Sequence, residues 1–357
     1  PVAPPPHGEY PGEGVLGDSG HGLGAPTLSA DITIRGDHVH IAIDSPPQVP
    51  YFINSYAGNS MSGVLLGLMM FAQVPPPYNE GLYRCVSVDL GAKGTLVNAQ
   101  EPAPHVNCTT TPMETLTDAV RTAFEAAAPD RVTASWGHAS GINIAGIDPR
   151  TGEQYVTMVL ASIISGAGAT QHMDGWHACG PLCCFGALSS GDIELLEYQY
   201  PILIHKYGLV EDSGGAGRQR GGCGTEWQVE PLNHEMTVIA FGEGRQIATM
   251  GAAGAEDKLP ERKLGRLSIA RHGGHTETHI QNTLTTIKPG ERASNINPGG
   301  GGYGHPFQRP LNEVVQDVAR GLVSRHAAEQ EYGVVLQADS LQVDEAATAR
   351  LRQQQAA

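Results

Sequence analysis

The feature that most constrains this chain is its glycine, which is concentrated in two dense clusters. One cluster runs through residues 213–224, and the other places four consecutive glycines at 299–302. Such runs have no side chains to fill a core, but they permit positive φ and let two backbones approach closely. The second cluster is therefore either a turn at which segments pack closely or a loop whose N–H groups bind phosphate. Neither a Walker pattern nor a G-x-G-x-x-G pattern accompanies it.

The composition predicts a folded protein and argues against several classes of partner. The 357 residues are 40% hydrophobic and 17% charged, which suffices for a sizeable core. Acidic side chains outnumber basic ones by 37 to 22, so neither nucleic acid nor an anionic membrane surface is an expected partner. The richest apolar stretch, residues 64–72, is far shorter than the roughly 20 residues of a membrane span. We therefore expect a cytoplasmic protein with reduced cysteines.

Four segments are expected along the chain. Residues 1–26 hold six prolines and seven glycines, which predicts an extended arm or linker. Residues 27–130 predict a hairpin plus helices, 131–310 a β-rich core with glycine-rich loops, and 311–357 C-terminal helices and a tail. The predicted fold class is mixed α/β, rich in strands and closing with two helices. Because the chain starts at Pro1 without an initiator Met, we expect an internal segment of a longer product.

The N-terminal part carries the clearest local signals. Apolar and polar residues alternate over 31–43 on both sides of a Gly-Asp pair, which predicts a β-hairpin. Small and apolar residues over 55–71 predict a buried helix. Thr111, Pro112 and Glu114 form the pattern of a capping box with proline at the first helical position. The helix that they begin should end near Pro129.

Signals in the C-terminal part are weaker until its end. Short β-rich runs at 155–164, 202–205 and 236–241 predict strands between the glycine clusters. A periodic apolar pattern from Leu311 to Leu322 predicts a helix, and Ser324 should cap a second helix that stops at Gly333. The polar tail after Ala346 is expected to fray.

One cluster of side chains is a candidate for chemistry. His172, Asp174 and His177 place two imidazoles and a carboxylate within six residues. Such a set can ligate a metal, or the carboxylate can orient a histidine that acts as a general base. A chain with 15 histidines also produces such clusters by chance. From the residues alone, these three are the catalytic candidates. Ser213, Gly214 and Gly215, together with Gly299, Gly300, Gly301 and Gly302, are the candidates for a phosphate or substrate loop.

Four stretches, taken together, resemble the hydantoinase B family. They are 212–222 (DSGGAGRQRGG), 297–304 (NPGGGGYG), 318–324 (VARGLVS) and 332–335 (YGVV), and they follow the family's order and spacing. The family contains the B-type subunits of ATP-dependent hydantoinases, oxoprolinases and caprolactamases, with subunits of acetone and acetophenone carboxylases. The resemblance runs from about residue 15 onward and covers the family's C-terminal half only.

The resemblance implies a subunit that works within a complex and is inactive alone. In that complex an A-type partner uses ATP to phosphorylate a poor electrophile, and a chain with the N-terminal half of the B-type subunit carries the metal. ATP and a divalent metal, Mg with Zn or Mn as alternatives, are therefore expected on partner chains, with no metal site confidently assigned to this one. A small molecule is the expected substrate.

The reaction class is open at this level. Where hydantoinase-like members carry an Asn- and Thr-rich pattern, this chain differs over 176–197, which favours ATP-dependent carboxylation of a ketone with bicarbonate as the leading reading. The alternative is ATP-dependent hydrolysis of a cyclic amide such as a hydantoin, 5-oxoproline or a lactam. A third hypothesis is a non-catalytic scaffold that holds the metal-bearing half.

Overall fold

A computed structural model describes residues 6–19, 24–72, 79–256 and 260–354. The chain divides into two compact units, residues 1–133 and residues 134–357. Each unit is described separately below. Within the described ranges no helix is long and apolar enough to cross a membrane.

The first unit contains a four-stranded sheet and two helices. Its strands are β1 (Gly8–Val15), β2 (Thr27–Arg35), β3 (His38–Asp44) and β4 (Val86–Asp89), in that spatial order. The first three pair antiparallel and β4 runs parallel to β3. The predicted hairpin is confirmed, because β2 and β3 flank the Gly-Asp turn and their alternate residues are buried.

The two helices of this unit are α1 (Ala57–Ala72) and α2 (Pro112–Ala127). Both were predicted, and they pack through small residues on α1. A Cβ on Gly63 would lie 2.9 Å from Met113 Cγ, and one on Gly67 would lie 2.8 Å from Val120 Cγ1. Phe71 and Phe124 stack with ring centroids 4.1 Å apart. A short 3₁₀ turn (Glu80–Tyr83) precedes β4.

The N-terminal arm is the first prediction that the structure corrects. Residues 8–15 form an edge strand of the sheet and are not a linker, although residues 1–5 and 20–23 lie outside the described ranges. Glycine makes the strand possible, because its bare backbone lies directly against α2. A Cβ on Gly12 would lie 2.2 Å from the Ala119 carbonyl oxygen, and one on Gly14 would lie 2.2 Å from that of Thr115. The glycines on which the prediction of an arm or linker rested are a packing requirement of this strand.

The capping box is the second correction. Thr111 occupies the N-cap position of α2 and Pro112 follows it, but the Thr111 side chain makes no capping hydrogen bond. Its backbone lies in the αR region, with φ −116° and ψ −79°, rather than in the extended conformation that aims a capping side chain at the helix. Glu114 is fully buried. The helix start was therefore predicted correctly and its mechanism wrongly.

The second unit is built on two antiparallel sheets. Strands β5 (Ser140–Ile147), β6 (Gln154–Met158), β7 (Ile202–Leu209), β8 (Thr225–Pro231), β9 (Met236–Gly242), β10 (Arg266–Ala270), β11 (Thr276–His279), β12 (Thr283–Ile287) and β13 (Arg292–Ile296) supply them. One sheet has the order β11-β10-β13-β8-β7 and the other has the order β12-β9-β5-β6. The predicted runs at 155–164, 202–205 and 236–241 correspond to β6 with a following 3₁₀ turn (Leu160–Ile163), β7 and β9.

The two sheets share one hydrophobic core. Ile142 and Val238 come from one sheet, while Trp227, Leu267 and Ala293 come from the other, and all five are fully buried in the same cluster. A shared cluster of this kind means that the sheets pack face to face as a sandwich. Their connections carry the glycine clusters, a helix α3 (Ile193–Gln199) and short 3₁₀ turns (Leu182–Cys184, Glu261–Lys263 and Pro306–Gln308).

Three helices follow the last strand. The two predicted helices are α4 (Leu311–Ala319) and α5 (Arg325–Gln330), and Ser324 caps α5 by accepting the Ala327 N–H through its side chain. The tail is a correction, because α6 (Glu345–Gln354) continues where fraying was expected. It is attached at its start, where Thr348 Oγ1 accepts the Val335 N–H, and near its end, where Arg352 Nη2 donates to the Tyr332 carbonyl.

Candidate functional site

The candidate site is organised by Asp174, which lies in a loop before α3. Arg309 donates to both of its carboxylate oxygens, over 2.8 Å and 2.7 Å. The Arg220 backbone N–H donates to Oδ1 over 2.8 Å, and the Gly175 N–H donates back to the Arg220 carbonyl. A two-point guanidinium–carboxylate pair is short, directional and strong. Asp174 is therefore fixed in position by two other segments.

A second carboxylate extends this pair into a network. Asp317 on α4 accepts from Arg309 Nε over 3.0 Å, and its Oδ2 also lies 3.3 Å from Arg220 Nε. Only 2% of Arg309, 3% of Arg220 and 4% of Asp317 is exposed. Two carboxylates and two guanidiniums thus balance one another inside the protein. Buried charges are tolerated only when they are paired in this way.

The network keeps Asp174 ionised. Burial acts to raise the pKa of Asp174, but the hydrogen bonds from Arg309 and the charges of Arg309 and Arg220 outweigh burial and lower it. Burial likewise opposes the charge of Arg309, yet the bonds and charge of Asp174 raise the pKa of Arg309 above its usual value. A general base must be able to take a proton near neutral pH. This carboxylate instead serves as a permanent anion that positions its loop.

His177 joins the same network at its other side. Its Nδ1 accepts the Cys223 N–H over 3.0 Å, and its Nε2 lies 3.4 Å from Arg220 Nη2. Burial lowers the pKa of His177, and the positive charge of Arg220 lowers it further. The imidazole is therefore neutral at pH 7, with both ring nitrogens facing protein groups. In this arrangement His177 tethers the loop to the first glycine cluster, residues 213–224.

The structure brings together only two of the three predicted catalytic candidates, His172, Asp174 and His177. Asp174 and His177 both contact Arg220, so the structure places these two in one cluster. His172 is exposed, and its backbone N–H bonds to Thr170 Oγ1. The catalytic roles of all three stay predictions. Between the two histidines the Trp176 ring is 62% exposed, so the network holds an aromatic side chain at the surface.

The two predicted glycine loops pack against each other. A Cβ on Gly299 would lie 2.2 Å from the Ser213 carbonyl oxygen, and the Gly215 N–H donates to the Gly300 carbonyl. Ser213 Oγ donates to the Val210 carbonyl and accepts the Gly224 N–H. The Gly214 carbonyl accepts from the buried ammonium of Lys263 over 2.8 Å. These bonds fix the first loop within the protein interior.

Two backbone N–H groups of residues 299–302 already donate hydrogen bonds within the protein. The Gly300 N–H donates to the Gly222 carbonyl and the Gly301 N–H donates to that of Ser135. Cβ atoms on Gly300, Gly301 and Gly302 would lie 2.0 to 2.3 Å from neighbouring carbonyl oxygens. The geometry therefore supports the close-packing interpretation of residues 299–302, and a phosphate loop would need donors beyond these two.

The sequence alone does not single out the groups that pair with Asp174 and His177. Arg220 lies inside a family motif, but no pattern marks Arg309 or Asp317 as site residues. Their spacing of eight residues, spanning the start of α4, resembles no catalytic pattern. A usable signal was the rarity of buried Arg and Asp, since a charged residue within an apolar helix pattern requires a partner.

A metal does not fit the residues described. Within residues 6–19, 24–72, 79–256 and 260–354, no group of three or more His, Cys, Asp or Glu side chains could hold an ion. Asp174, the carboxylate that the sequence suggested as a metal ligand, already accepts three hydrogen bonds from nitrogen donors. We therefore assign no metal-binding role to the described residues of this chain.

Comparison with known proteins decides the family. The family model for hydantoinase B/oxoprolinase proteins matches residues 2–306. The chain belongs to the hydantoinase B/oxoprolinase family. Among curated members of this family, the caprolactamase subunit beta of Pseudomonas jessenii is 70% identical over 345 residues. That alignment covers 96% of this chain and 59% of the relative, so the chain spans about three fifths of its length.

Two solved structures have the same fold as this chain. The ATP-dependent caprolactamase from Pseudomonas jessenii superposes with a TM-score of 0.89 at 64% identity, covering 98% of this chain and 60% of that one. Nucleotide-free acetone carboxylase superposes with a TM-score of 0.79 at 20% identity, covering 99% and 53%. The second likeness shows the fold alone.

These findings change the order of the two predicted reactions. The departure from the hydantoinase pattern at 176–197 was taken to favour ketone carboxylation, but the closely similar relative is named as a caprolactamase subunit. The cyclic-amide alternative is better supported than carboxylation.

Proposed function

We propose that this chain forms part of the B-type subunit of a complex that opens a lactam ring at the expense of ATP. The observation that carries the proposal is the 70% identity to the caprolactamase subunit beta over nearly the whole chain. The TM-score of 0.89 to the ATP-dependent caprolactamase supports it. A 5-oxoproline or hydantoin ring remains within the same reaction class.

The chemistry explains why ATP is needed. An amide nitrogen is a poor leaving group and an amide carbonyl is a poor electrophile, so uncatalysed hydrolysis is slow. Phosphorylation of the amide oxygen supplies a leaving group and makes the carbon electrophilic. We assign ATP binding and phosphoryl transfer to an A-type partner subunit. Any divalent metal is assigned to a chain that carries the remaining part of the B-type subunit.

This chain contributes positioning to that reaction. Asp174, Arg309, Asp317 and Arg220 hold the loop 171–178 as a rigid unit. Because Trp176 is exposed on that loop, the network sets the place of an aromatic side chain that can face substrate or a partner subunit. Pre-organised side chains of this kind lower the cost of ordering a bound ligand.

The test is turnover by the reconstituted complex. The chain, its A-type partner and the remaining part of the B-type subunit are incubated with ATP and caprolactam, and the ring-opened amino acid is measured by mass spectrometry. Parallel reactions contain acetone or acetophenone with labelled bicarbonate. ATP-dependent ring opening without label supports the proposal. Acid-stable label from a ketone, with no ring-opened product, would replace it with carboxylation.

The scaffold hypothesis is distinguished in the same assay. Trp176→Ala and Asp174→Asn are compared with the unchanged complex after assembly has been verified by size-exclusion chromatography. A positioning role predicts lower turnover in assembled complexes that carry either variant. Full turnover in both would favour a purely structural scaffold.

A further inference from the structure

A cavity in the second unit lies outside the network around Asp174. It has a volume of about 580 Å³, within the ~300–1,000 Å³ typical of small-molecule sites. It is lined by the loop that follows β9, the 3₁₀ turn before β10, the start of β10, and the end of β11. Its lining residues are Arg245, Gln246, Ile247, Ala248, Glu261, Leu264, Gly265, Arg266, Thr278 and Ile280.

Arg245 is the unusual group in this lining, because it is 2% exposed and incompletely paired. Its Nη2 donates to Asn295 Oδ1 over 2.8 Å and to the Gly141 carbonyl over 3.3 Å. Among the described residues, Nε and Nη1 have no hydrogen-bond partner. A buried donor without an acceptor costs free energy, more so when it is charged.

The rest of the structure does not remove that charge. Burial lowers the pKa of Arg245 to about 10, so the group is still protonated at neutral pH, and the charge of Glu243 favours that form. Asn295 is itself fixed, since its amide donates to the carbonyls of Ser140 and Ser162. Nη2 is therefore anchored, while Nε and Nη1 have no acceptor among the described residues. Once the side chain rotates toward the cavity, an anion there would accept hydrogen bonds from them.

The other lining residues restrict which anion fits. Arg266 adds a second cation, whereas Ile247, Leu264 and Ile280 provide apolar surface. Glu261 adds a carboxylate on an exposed turn. A bare inorganic anion would use the cations but would leave the apolar surface in contact with water. A molecule with a carboxylate, a methylene chain and an ammonium group matches all three types of side chain.

We propose that this cavity binds an ω-amino carboxylate, with its carboxylate at Arg245 and its ammonium at Glu261. The proposal rests on the proposed function, because hydrolysis of a lactam yields this class of molecule. Both unpaired nitrogens are covered by protein, so binding requires a rotation of the Arg245 side chain. The cavity would then hold the product of ring opening.

Binding is tested by calorimetry on the complex in which the full chain assembles, without ATP. The probes are 6-aminohexanoate, hexanoate, hexylamine and inorganic phosphate. We expect 6-aminohexanoate to bind most tightly and hexylamine at least about tenfold more weakly, since it lacks the group that pairs with Arg245. Equal or tighter binding of phosphate would overturn the proposal, as would the absence of binding by 6-aminohexanoate.

Variants place the ligand in the cavity. Arg245→Met should weaken 6-aminohexanoate binding at least about tenfold, and the apolar replacement of a buried charge is often tolerated in folding. Glu261→Gln lies on the exposed turn and should weaken 6-aminohexanoate but leave hexanoate unchanged. The matched control is Arg292→Met, which removes a half-exposed arginine outside the cavity. Unchanged affinity in Glu261→Gln and in a folded Arg245→Met would refute the site.

The binding and turnover experiments distinguish failure of this inference from failure of the proposed function. If the complex opens caprolactam with ATP but these variants bind 6-aminohexanoate normally, this inference is wrong and the proposed function stands. If caprolactam is not opened but 6-aminohexanoate binds through Arg245, the substrate assignment fails and the site stands.

Discussion

Replacing Asp317 with asparagine would test the ion-pair network most directly. The substitution keeps the size of the side chain and removes one negative charge from the most buried part of the network. Asp317 Oδ2 lies 3.0 Å from Arg309 Nε, 2.9 Å from Arg309 Nη2 and 3.3 Å from Arg220 Nε. Both guanidiniums are almost fully buried, so neither can recover its hydration after the change.

The expected cost follows from this geometry. Removing one partner of a buried ion pair destabilises a protein by about 3–5 kcal/mol, because the remaining charge is left unpaired. Here Asp174 still holds Arg309 through two hydrogen bonds, so we expect about 3 kcal/mol, at the lower end of that range. For a domain of about 150–250 residues this lowers Tm by roughly 6–12 °C.

The assay is thermal unfolding of the full chain at pH 7, followed by calorimetry. Asp339→Asn is the matched control, because it makes the same chemical change at an exposed position near the C-terminus. The double variant Asp317→Leu/Arg220→Met removes one charge of each sign and should recover part of the loss. A Tm for Asp317→Asn within about 2 °C of the unchanged chain would refute the claim that these charges depend on one another.

Three further changes test other parts of the structure. The pKa of His177 is lowered in the folded chain, so below pH ~6.5 the imidazole takes up a proton more readily in the unfolded chain, and acid favours unfolding. Between pH 7 and pH 5, the Tm of His177→Asn should therefore fall by less than the Tm of the unchanged chain. Gly300→Ala should cost more than ~3 kcal/mol or prevent folding, because its Cβ would lie 2.0 Å from the Ala167 carbonyl oxygen, whereas Gly191→Ala has open space and should be neutral in urea titrations. A folded Gly300→Ala that had lost only nucleotide or phosphate affinity would instead restore the phosphate-loop interpretation. Gly12→Ala should destabilise the first unit through its 2.2 Å approach to the Ala119 carbonyl, and normal hydrogen-exchange protection of β2 in that variant would count against β1 as a packed strand.

Local patterns predicted the elements whose signals are local. The hairpin around the Gly-Asp turn, α1, α2 and the Ser324 cap all follow from periodicity or from one side chain acting on its own neighbourhood. For the hairpin and the Ser324 cap, the residues that carry the signal also make the decisive contacts, whereas Thr111 marks the start of α2 without capping it. The sequence is therefore sufficient for their existence and approximate ends.

Elements that depend on distant partners were not predicted. The sequence of β1 predicts an extended arm or linker, because the packing of its glycines is apparent only against α2, which lies about a hundred residues further along the chain. The prediction of the candidate site was incomplete for the same reason. Asp174 was found with its sequence neighbours His172 and His177, but the groups that determine its chemistry are Arg309 and Arg220, at 135 and 46 residues' separation.

The placement of the family motifs explains why they identified the fold and left the reaction open. Asp212 Oδ1 accepts the Ser324 N–H, and its own N–H donates to the Leu322 carbonyl, so the first motif is bonded to the third. The glycine run packs on the 213–216 backbone, and Tyr332 lies in one hydrophobic cluster with Ala216. All four motifs are thus parts of one tightly packed assembly whose requirements are steric. Packing of this kind supports a fold and does not by itself choose between carboxylation of a ketone and opening of a lactam. We expect the residues that make this choice to lie outside the four motifs, and we propose the cavity at Arg245, which none of the motifs lines, as their place.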